Sequence, residues 1–185
     1  MKSTVNGIDI NYELSGAADG PVVVLHHPLA TNLTCWDELT AALEPNYRVL
    51  RLDARGHGKS DAPAGPYAFE TLAKDVVELM TACGVQKASF LGLSMGGMVG
   101  QYLGLLYPER FNCLLLVSTS SRIPDEAQPL WDQRIHAVTT GGMVTQVEGA
   151  IQRWVSPRAI KENPALVERL SQMIKLTPID GYVGW

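Results

Sequence analysis

Ser94 is the residue of this chain best placed to do chemistry, because of what surrounds it. It lies in the run Gly92-Leu93-Ser94-Met95-Gly96, directly after a short apolar run and directly before a glycine-rich helical stretch. A serine on a tight strand-to-helix turn has its hydroxyl lifted clear of the sheet, and the flanking glycines let the backbone pass without clashes. The following helix N-terminus favours negative charge at this point. The spacing therefore predicts a serine nucleophile for acyl transfer, with the Met95 N–H as one donor to the oxyanion.

A serine nucleophile needs a base, and the four histidines of the chain are the first candidates. His26 and His27 directly follow an apolar run, and His57 lies between two glycines in a turn-rich loop. We interpret these three as structural residues that hydrogen-bond the loop backbone, with Asp53 accepting further hydrogen bonds from that loop. His136 is interpreted as a solvated or packing residue, and no histidine follows it. The sequence therefore provides a nucleophile without an evident base.

The segments around Ser94 predict an α/β fold. An amphipathic edge strand or hairpin is expected at residues 7–14, and buried strands at 22–25, 47–52, 87–93 and 113–118. Helices are expected between them, at 32–43, 69–83 and 95–107. Such alternation implies a mostly parallel sheet with helices on both faces. After residue 123 only helical segments follow, at 131–138, 143–155 and 165–174, so we divide the chain into a core at 1–122 and an incomplete helical lid at 123–185.

Composition argues against several classes of protein. The chain has 185 residues and a formal net charge of −4, with no dense Lys/Arg patch, so we expect no nucleic-acid partner. The most apolar stretch, residues 90–107, is broken by glycines and polar residues, so we expect no membrane span. Cys35, Cys83 and Cys113 fit neither a disulfide framework nor a metal site, and residues 1–10 do not resemble a signal peptide. These observations predict a cytoplasmic protein that needs no metal or organic cofactor.

Three segments together resemble the α/β-hydrolase fold-1 superfamily. They are LHHPLATNLTCW at residues 25–36, DARGHGKS at 53–60 and FLGLSMGGMVGQYLGLLYPER at 90–110. Within the superfamily the chain is most similar to 3-oxoadipate enol-lactonases. That similarity depends on the first of these segments, with its tryptophan, and on the Gly-Tyr-x-Gly run at 181–184. The resemblance extends over the whole chain.

This resemblance implies a Ser-His-acid triad with Ser94 as nucleophile. It also implies that the loop after the first buried strand gives the second oxyanion donor, for which we choose the Leu29 N–H because Pro28 has none. The acid and the histidine would follow the lid, so the sheet is expected to be truncated before its last strands. Three explanations stay open: a second polypeptide supplies them, the chain is a fragment of a longer enzyme, or it is a non-enzymatic remnant. An unpaired sheet edge makes the third the least favoured.

The features together predict hydrolysis of a small ester or lactone through an acyl-enzyme. The partners expected are that small-molecule substrate and a complementary C-terminal polypeptide carrying the acid and histidine. Trp131, Met143 and Trp154 of the lid are candidates for the substrate pocket. The alternatives are carbon–carbon bond hydrolysis or haloperoxidase-type perhydrolysis on the same fold and, in another class, an inactive fragment or binding scaffold.

Overall fold

Strands and helices alternate along the first two thirds of the chain, and helices alone follow. The computed structural model describes all residues from 1 to 185. The six strands are β1 (Lys2–Val5), β2 (Ile8–Gly16), β3 (Val22–His26), β4 (Arg48–Leu52), β5 (Ala88–Leu93) and β6 (Phe111–Val117). The α-helices are α1 (Asp37–Leu43), α2 (Phe69–Ala82), α3 (Met95–Leu106), α4 (Gln128–Gly141), α5 (Val147–Trp154), α6 (Pro157–Glu162), α7 (Pro164–Leu176) and α8 (Ile179–Gly184).

The strands form one sheet in the order β1-β2-β4-β3-β5-β6. The hairpin β1–β2 joins the sheet antiparallel to β4, whereas β4, β3, β5 and β6 are parallel to one another. In the register of β3 and β5, His26 pairs with Gly92. The carboxyl ends of these two neighbouring strands therefore meet at one edge of the sheet, where the loop after His26 and the turn at Ser94 begin.

Both faces of the sheet are covered by helices, as the sequence predicts. On one face Val24 of β3 and Phe90 of β5 belong to a core that includes residues of α2 and α3. Their neighbours Leu25 and Leu91 point to the other face, where they pack with Leu39 and other residues near α1. Parallel strands buried on both faces read as continuous apolar runs, which explains the sequence pattern of these strands. The fold is thus an α/β fold with a mostly parallel sheet.

Several element boundaries differ from the sequence prediction. The segment 32–43 is a 3-10 turn (Leu33–Trp36), followed by α1, and the Asn32 side chain caps the turn by accepting from Thr34 N–H at 3.0 Å. The segment 7–14 belongs to a hairpin, one of the two predicted alternatives, and it is the second strand of the sheet because β1 lies outside it. The short helices α6 and α8 have no predicted counterpart, since six residues are too few to show helical periodicity.

The helices α4 to α8, which we call the lid, pack over the carboxyl edge of the sheet. A second hydrophobic cluster joins Val138, Met143, Ala150, Ile174 and Tyr182 of the lid segment to Ala30 of the loop after β3. None of the helices is both long and apolar enough to cross a bilayer. The boundary between core and lid at residue 122 stays a prediction.

Candidate active site

The turn at Ser94 has the strained geometry expected of an exposed nucleophile. Ser94 lies between β5 and α3 with φ 54° and ψ −111°, a region that residues other than glycine rarely adopt. Its N–H donates to the carbonyl of Val117 at 2.8 Å, which ties the turn to β6. A Cβ on Gly92 would lie 2.7 Å from the Gly97 nitrogen, so only glycine fits the approach of strand and helix. The side chain of Ser94 is exposed at the end of the sheet.

The N-terminus of α3 lies directly at this turn. Met95 is the first residue of the helix, and the first N–H groups of a helix have no partner within it. The glycines of α3 pack on the sheet, because a Cβ at Gly96 would meet the His26 ring and one at Gly100 would meet Phe90. The helix can thus begin close to the sheet, with its positive end at the serine.

The loop after β3 presents a second free N–H on the same edge. The Leu29 N–H has no hydrogen-bond partner within the protein. The preceding carbonyl, that of Pro28, accepts from the Thr31 hydroxyl at 2.8 Å and from His27 Nδ1 at 2.8 Å. Ala30, which follows Leu29, has φ 60°. The loop is therefore held by side chains while its Leu29 N–H stays free.

His26, His27 and His57 form a buried cluster beneath that loop, as their structural interpretation predicts. His27 Nε2 accepts from the Ala54 N–H at 2.9 Å, and His57 Nε2 accepts from the Ala30 N–H at 3.1 Å. Burial lowers the pKa of His26 to about 3 and that of His27 to about 4, and it holds the pKa of His57 well below its usual 6.5. The three imidazoles are therefore neutral, and the acceptor nitrogens of His27 and His57 are occupied by backbone N–H groups.

Asp53 organises the neighbouring loop, again as expected. Its buried carboxylate accepts from the Leu33 N–H at 2.7 Å, the Lys59 N–H at 2.8 Å and Asn11 Nδ2 at 2.7 Å. These bonds connect the loop after β4 to β2 and to the 3-10 turn. Asp53 is thus a structural acceptor in this arrangement.

The last helix explains the Gly-Tyr-x-Gly run. Gly181 lies against the backbone of Gly56, so that a Cβ on Gly56 would be 2.5 Å from the Gly181 Cα atom. The Gly184 carbonyl accepts from the Tyr67 N–H at 2.6 Å, and the Trp185 indole donates to the Arg55 carbonyl at 2.8 Å. Two glycines are needed because α8 packs backbone to backbone on the loop after β4.

A cavity of about 810 Å³ lies between the lid and the carboxyl edge of the sheet. Ser94 and Leu29 lie in its wall on the sheet side, and Trp131 and Trp154 on the lid side. Most of its lining is hydrophobic, which suits a small organic ligand. Met143, the third expected pocket residue, is misplaced by the sequence prediction: it is buried in the second hydrophobic cluster and does not reach the cavity.

Arginines are the charged residues of this lining: Arg134, Arg153 and Arg169. Arg169 pairs with Glu38 at 3.3 Å, but Arg134 and Arg153 form no ion pair. Arg134 lies over the Trp131 ring, 4.7 Å from its centroid. Partial burial, and then repulsion from Arg134, lower the pKa of Arg153. Two like charges without a carboxylate partner therefore share one wall of the cavity.

The cavity lining contains neither a histidine nor a carboxylate. His136 is exposed on α4 and does not reach the cavity. Asp125, an acidic residue that follows β6 in the chain, pairs with Arg122 at 2.8 Å on the surface. Of the predicted residues, Ser94, Leu29, Trp131 and Trp154 line this cavity, and Met95 does not. The arginines were not predicted, although the i, i+3 spacing of Trp131 and Arg134 was an available signal for them.

Comparison with known proteins agrees with this geometry. A family model for the alpha/beta hydrolase fold matches residues 21–176. The curated 3-oxoadipate enol-lactonase 2 of Acinetobacter baylyi is 36% identical over 181 residues, which are 98% of this chain and 67% of that protein. The chain belongs to the α/β hydrolase fold family.

Solved structures give the same result. The enol-lactonase from Burkholderia xenovorans LB400 matches with a TM-score of 0.95 and 33% identity, over 100% of this chain and 71% of that one. A hydrolase from Pseudomonas aeruginosa PA01 matches with a TM-score of 0.91 and 41% identity, over 99% of this chain and 70% of that one. The chain thus spans about two thirds of the length of these relatives.

Proposed function

We propose that this chain carries the nucleophile and oxyanion hole of a serine hydrolase that acts on a small ester or lactone, in the manner of an enol-lactonase. One observation carries the proposal: the strained, exposed Ser94 lies in the wall of a mostly apolar cavity together with Leu29, whose N–H is free. The names of the enol-lactonase relatives support the substrate class.

In this mechanism the Ser94 hydroxyl attacks the carbonyl carbon of the substrate. The N–H groups of Met95 and Leu29 donate to the oxygen as it becomes negative, and the neighbouring end of α3 stabilises the same charge. Collapse of the tetrahedral intermediate breaks the acyl–oxygen bond and leaves an acyl-enzyme, in which a lactone's leaving group stays attached. Water then hydrolyses the acyl-enzyme.

The base that takes the serine proton would come from outside residues 1–185. His26, His27 and His57 do not line the cavity, and burial keeps all three neutral. His27 and His57 also serve as acceptors for backbone N–H groups. We propose that a complementary segment carrying an acid and a histidine adds to the sheet at β6. The exposed apolar side chains of β6 support this location: Leu115, Leu116 and Val117.

The unpaired arginines favour a substrate that carries an anionic group. Arg134 and Arg153 line the Ser94 cavity, and a bound carboxylate would relieve their mutual repulsion. We therefore propose an ester or lactone with a free carboxylate, held at the lid while its acyl carbon lies at Ser94.

The state of the three cysteines supports the expected location. Cys35, Cys83 and Cys113 are all free thiols, which supports a reducing, cytoplasmic location.

The test is hydrolysis by the active enzyme, meaning this chain together with the segment that supplies the histidine. Replacing Ser94→Ala should lower kcat by about 10⁴-fold or more and abolish labelling by a fluorophosphonate probe. Ser118→Ala is the matched control, because Ser118 also lines the cavity but lies after β6. Unchanged turnover in Ser94→Ala would show that another residue is the nucleophile. A panel of esters, lactones, carbon–carbon ring-fission products and peracid-forming acids separates the possible reactions.

A further inference from the structure

The two peptide groups proposed to hold the oxyanion are built alike. The N–H of Met95 belongs to the peptide whose carbonyl is that of Ser94. That carbonyl accepts two hydrogen bonds, from the Thr119 hydroxyl at 2.9 Å and from the Met98 N–H at 3.0 Å. The second of these bonds is ordinary for the first turn of a helix, but the first comes from the segment after β6.

The second peptide repeats this arrangement. The N–H of Leu29 belongs to the peptide whose carbonyl is that of Pro28, and this carbonyl accepts from the Thr31 hydroxyl and from His27 Nδ1, each at 2.8 Å. His27 Nε2 accepts from the Ala54 N–H at 2.9 Å, so the ring's one proton is on Nδ1. In both peptides a threonine hydroxyl therefore donates to the carbonyl on the side opposite the free N–H.

Such bonds affect the N–H in two ways. A trans peptide is planar, with C=O and N–H pointing in opposite directions, so a fixed carbonyl also fixes the direction of the N–H. Hydrogen bonds in a chain also polarise one another, so a carbonyl that accepts a bond makes its N–H a stronger donor. Both effects exist before substrate arrives, which is what stabilisation of a developing oxyanion requires.

The surroundings of Thr119 are shaped for this contact. A Cβ on Gly97 would lie 2.7 Å from the Thr119 Cβ and 3.0 Å from its hydroxyl oxygen. The glycine in the first turn of α3 therefore leaves the space that the threonine occupies. Thr31 is likewise held, since it is 2% exposed and packed within the loop after β3.

We propose that Thr31 and Thr119 are positioning residues, each of which orients and polarises one oxyanion N–H through the carbonyl of the same peptide. This inference rests on the proposed function, because it assigns roles to Leu29 and Met95 in the same site. It adds that a threonine hydroxyl supports each half of the oxyanion hole through the carbonyl of the same peptide. Thr119 does not line the cavity, and Thr31, which forms part of its wall, is 2% exposed.

The test compares Thr31→Val and Thr119→Val with Thr31→Ser and Thr119→Ser in the active enzyme. Each valine variant should lower kcat about tenfold with KM within twofold, and each serine variant, which restores the hydroxyl, should recover most of the rate. Thr177→Val is the control, because the buried Thr177 hydroxyl also donates to a backbone carbonyl, that of Met173 at 3.0 Å, while Thr177 does not line the cavity and bonds to neither oxyanion peptide.

Two further measurements, the Tm of every variant and the activity of Ser94→Ala, distinguish the possible outcomes. Thermal unfolding of every variant separates lost positioning from lost folding. A purely structural role would lower Tm in the valine variants, which lack the hydroxyl, and leave kcat of the folded enzyme unchanged. If Ser94→Ala is inactive while the valine variants keep the wild-type kcat, the positioning role is wrong and the serine hydrolase stands. If Ser94→Ala stays active, the proposed function itself is wrong.

Discussion

His57 Nε2 accepts a hydrogen bond of 3.1 Å from the N–H of Ala30, the residue next to the proposed oxyanion donor Leu29. Only an unprotonated nitrogen can accept, so the loop depends on a neutral imidazole. Burial supplies this condition, since it keeps the pKa of His57 well below 6.5. A second neutral imidazole, that of His27, accepts the Ala54 N–H in the same way.

Stability should therefore fall as the solution is acidified below about pH 6.5. In that range histidines of the unfolded chain take up protons, whereas His27 (pKa about 4) and His26 (pKa about 3) stay neutral in the folded chain. The unfolded state then binds more protons than the folded state. The free energy of unfolding therefore has its full value above about pH 6.5 and decreases as the pH falls from there to about 3. Urea unfolding at pH 7 and pH 5 measures the difference.

A pair of variants isolates the histidine contribution. His57→Gln keeps a side-chain acceptor that does not titrate, so its free energy of unfolding should vary less steeply between pH 7 and pH 5. His136→Gln should keep the wild-type slope, because His136 is exposed on α4. Equal slopes in His57→Gln and wild type would contradict this account.

Ser94→Gly should make the protein more stable while it destroys activity. Glycine adopts φ 54° without strain, so we expect a gain of about 1 kcal/mol in the free energy of unfolding. Ser94→Ala should show no such gain, and Ser89→Gly, at the second position of β5, should lose about 1 kcal/mol. Chemical denaturation of the three variants gives the comparison, and a loss in Ser94→Gly would show that the turn holds no strain.

Arg134→Met and Arg153→Met should weaken binding of anionic substrates selectively. For an ester with a free carboxylate we expect KM to rise about tenfold for each, while a neutral ester of the same size changes less than twofold. The control is Arg158→Met, because Arg158 pairs with Glu162 on the surface of α6 and does not line the cavity. The same loss on both esters would mean that the arginines serve the lid's structure and do not bind substrate.

The buried ion pair of Arg55 and Asp75 should be expensive to break. Arg55 donates to both carboxylate oxygens at 2.8 Å, and the two side chains are 9% and 4% exposed. Asp75→Asn leaves a buried cation without its counter-charge, so we expect a loss of about 3 kcal/mol or more in the free energy of unfolding. Glu162→Gln, which breaks an exposed pair, should cost less than about 0.5 kcal/mol. Losses of similar size in the two variants would argue against a special role for the buried pair.

The features that the sequence could predict are those set by residue spacing over short stretches of the chain. The apolar runs of β3 to β5, the helices α2 and α3 and the turn at Ser94 follow from spacing within about fifteen residues, and the structure confirms them. The backbone partners of His27 and His57 could not be predicted, because Ala54 and Ala30 are each 27 residues away along the chain. Met143 was misplaced for the same reason, since helical spacing alone does not say which face meets the cavity and which the core.

The contact of Gly181 with Gly56 has a mechanical consequence for access to the cavity. The lid leaves the sheet after β6 and returns through α8 to the loop after β4, so its polypeptide is tethered to the core at both ends. A segment that is anchored at both ends cannot open by rigid-body rotation about a single hinge. Ligand entry should then require sliding of α4 to α7 against one another, and Gly181→Ala, by loosening one tether, should speed ligand exchange more than it alters affinity.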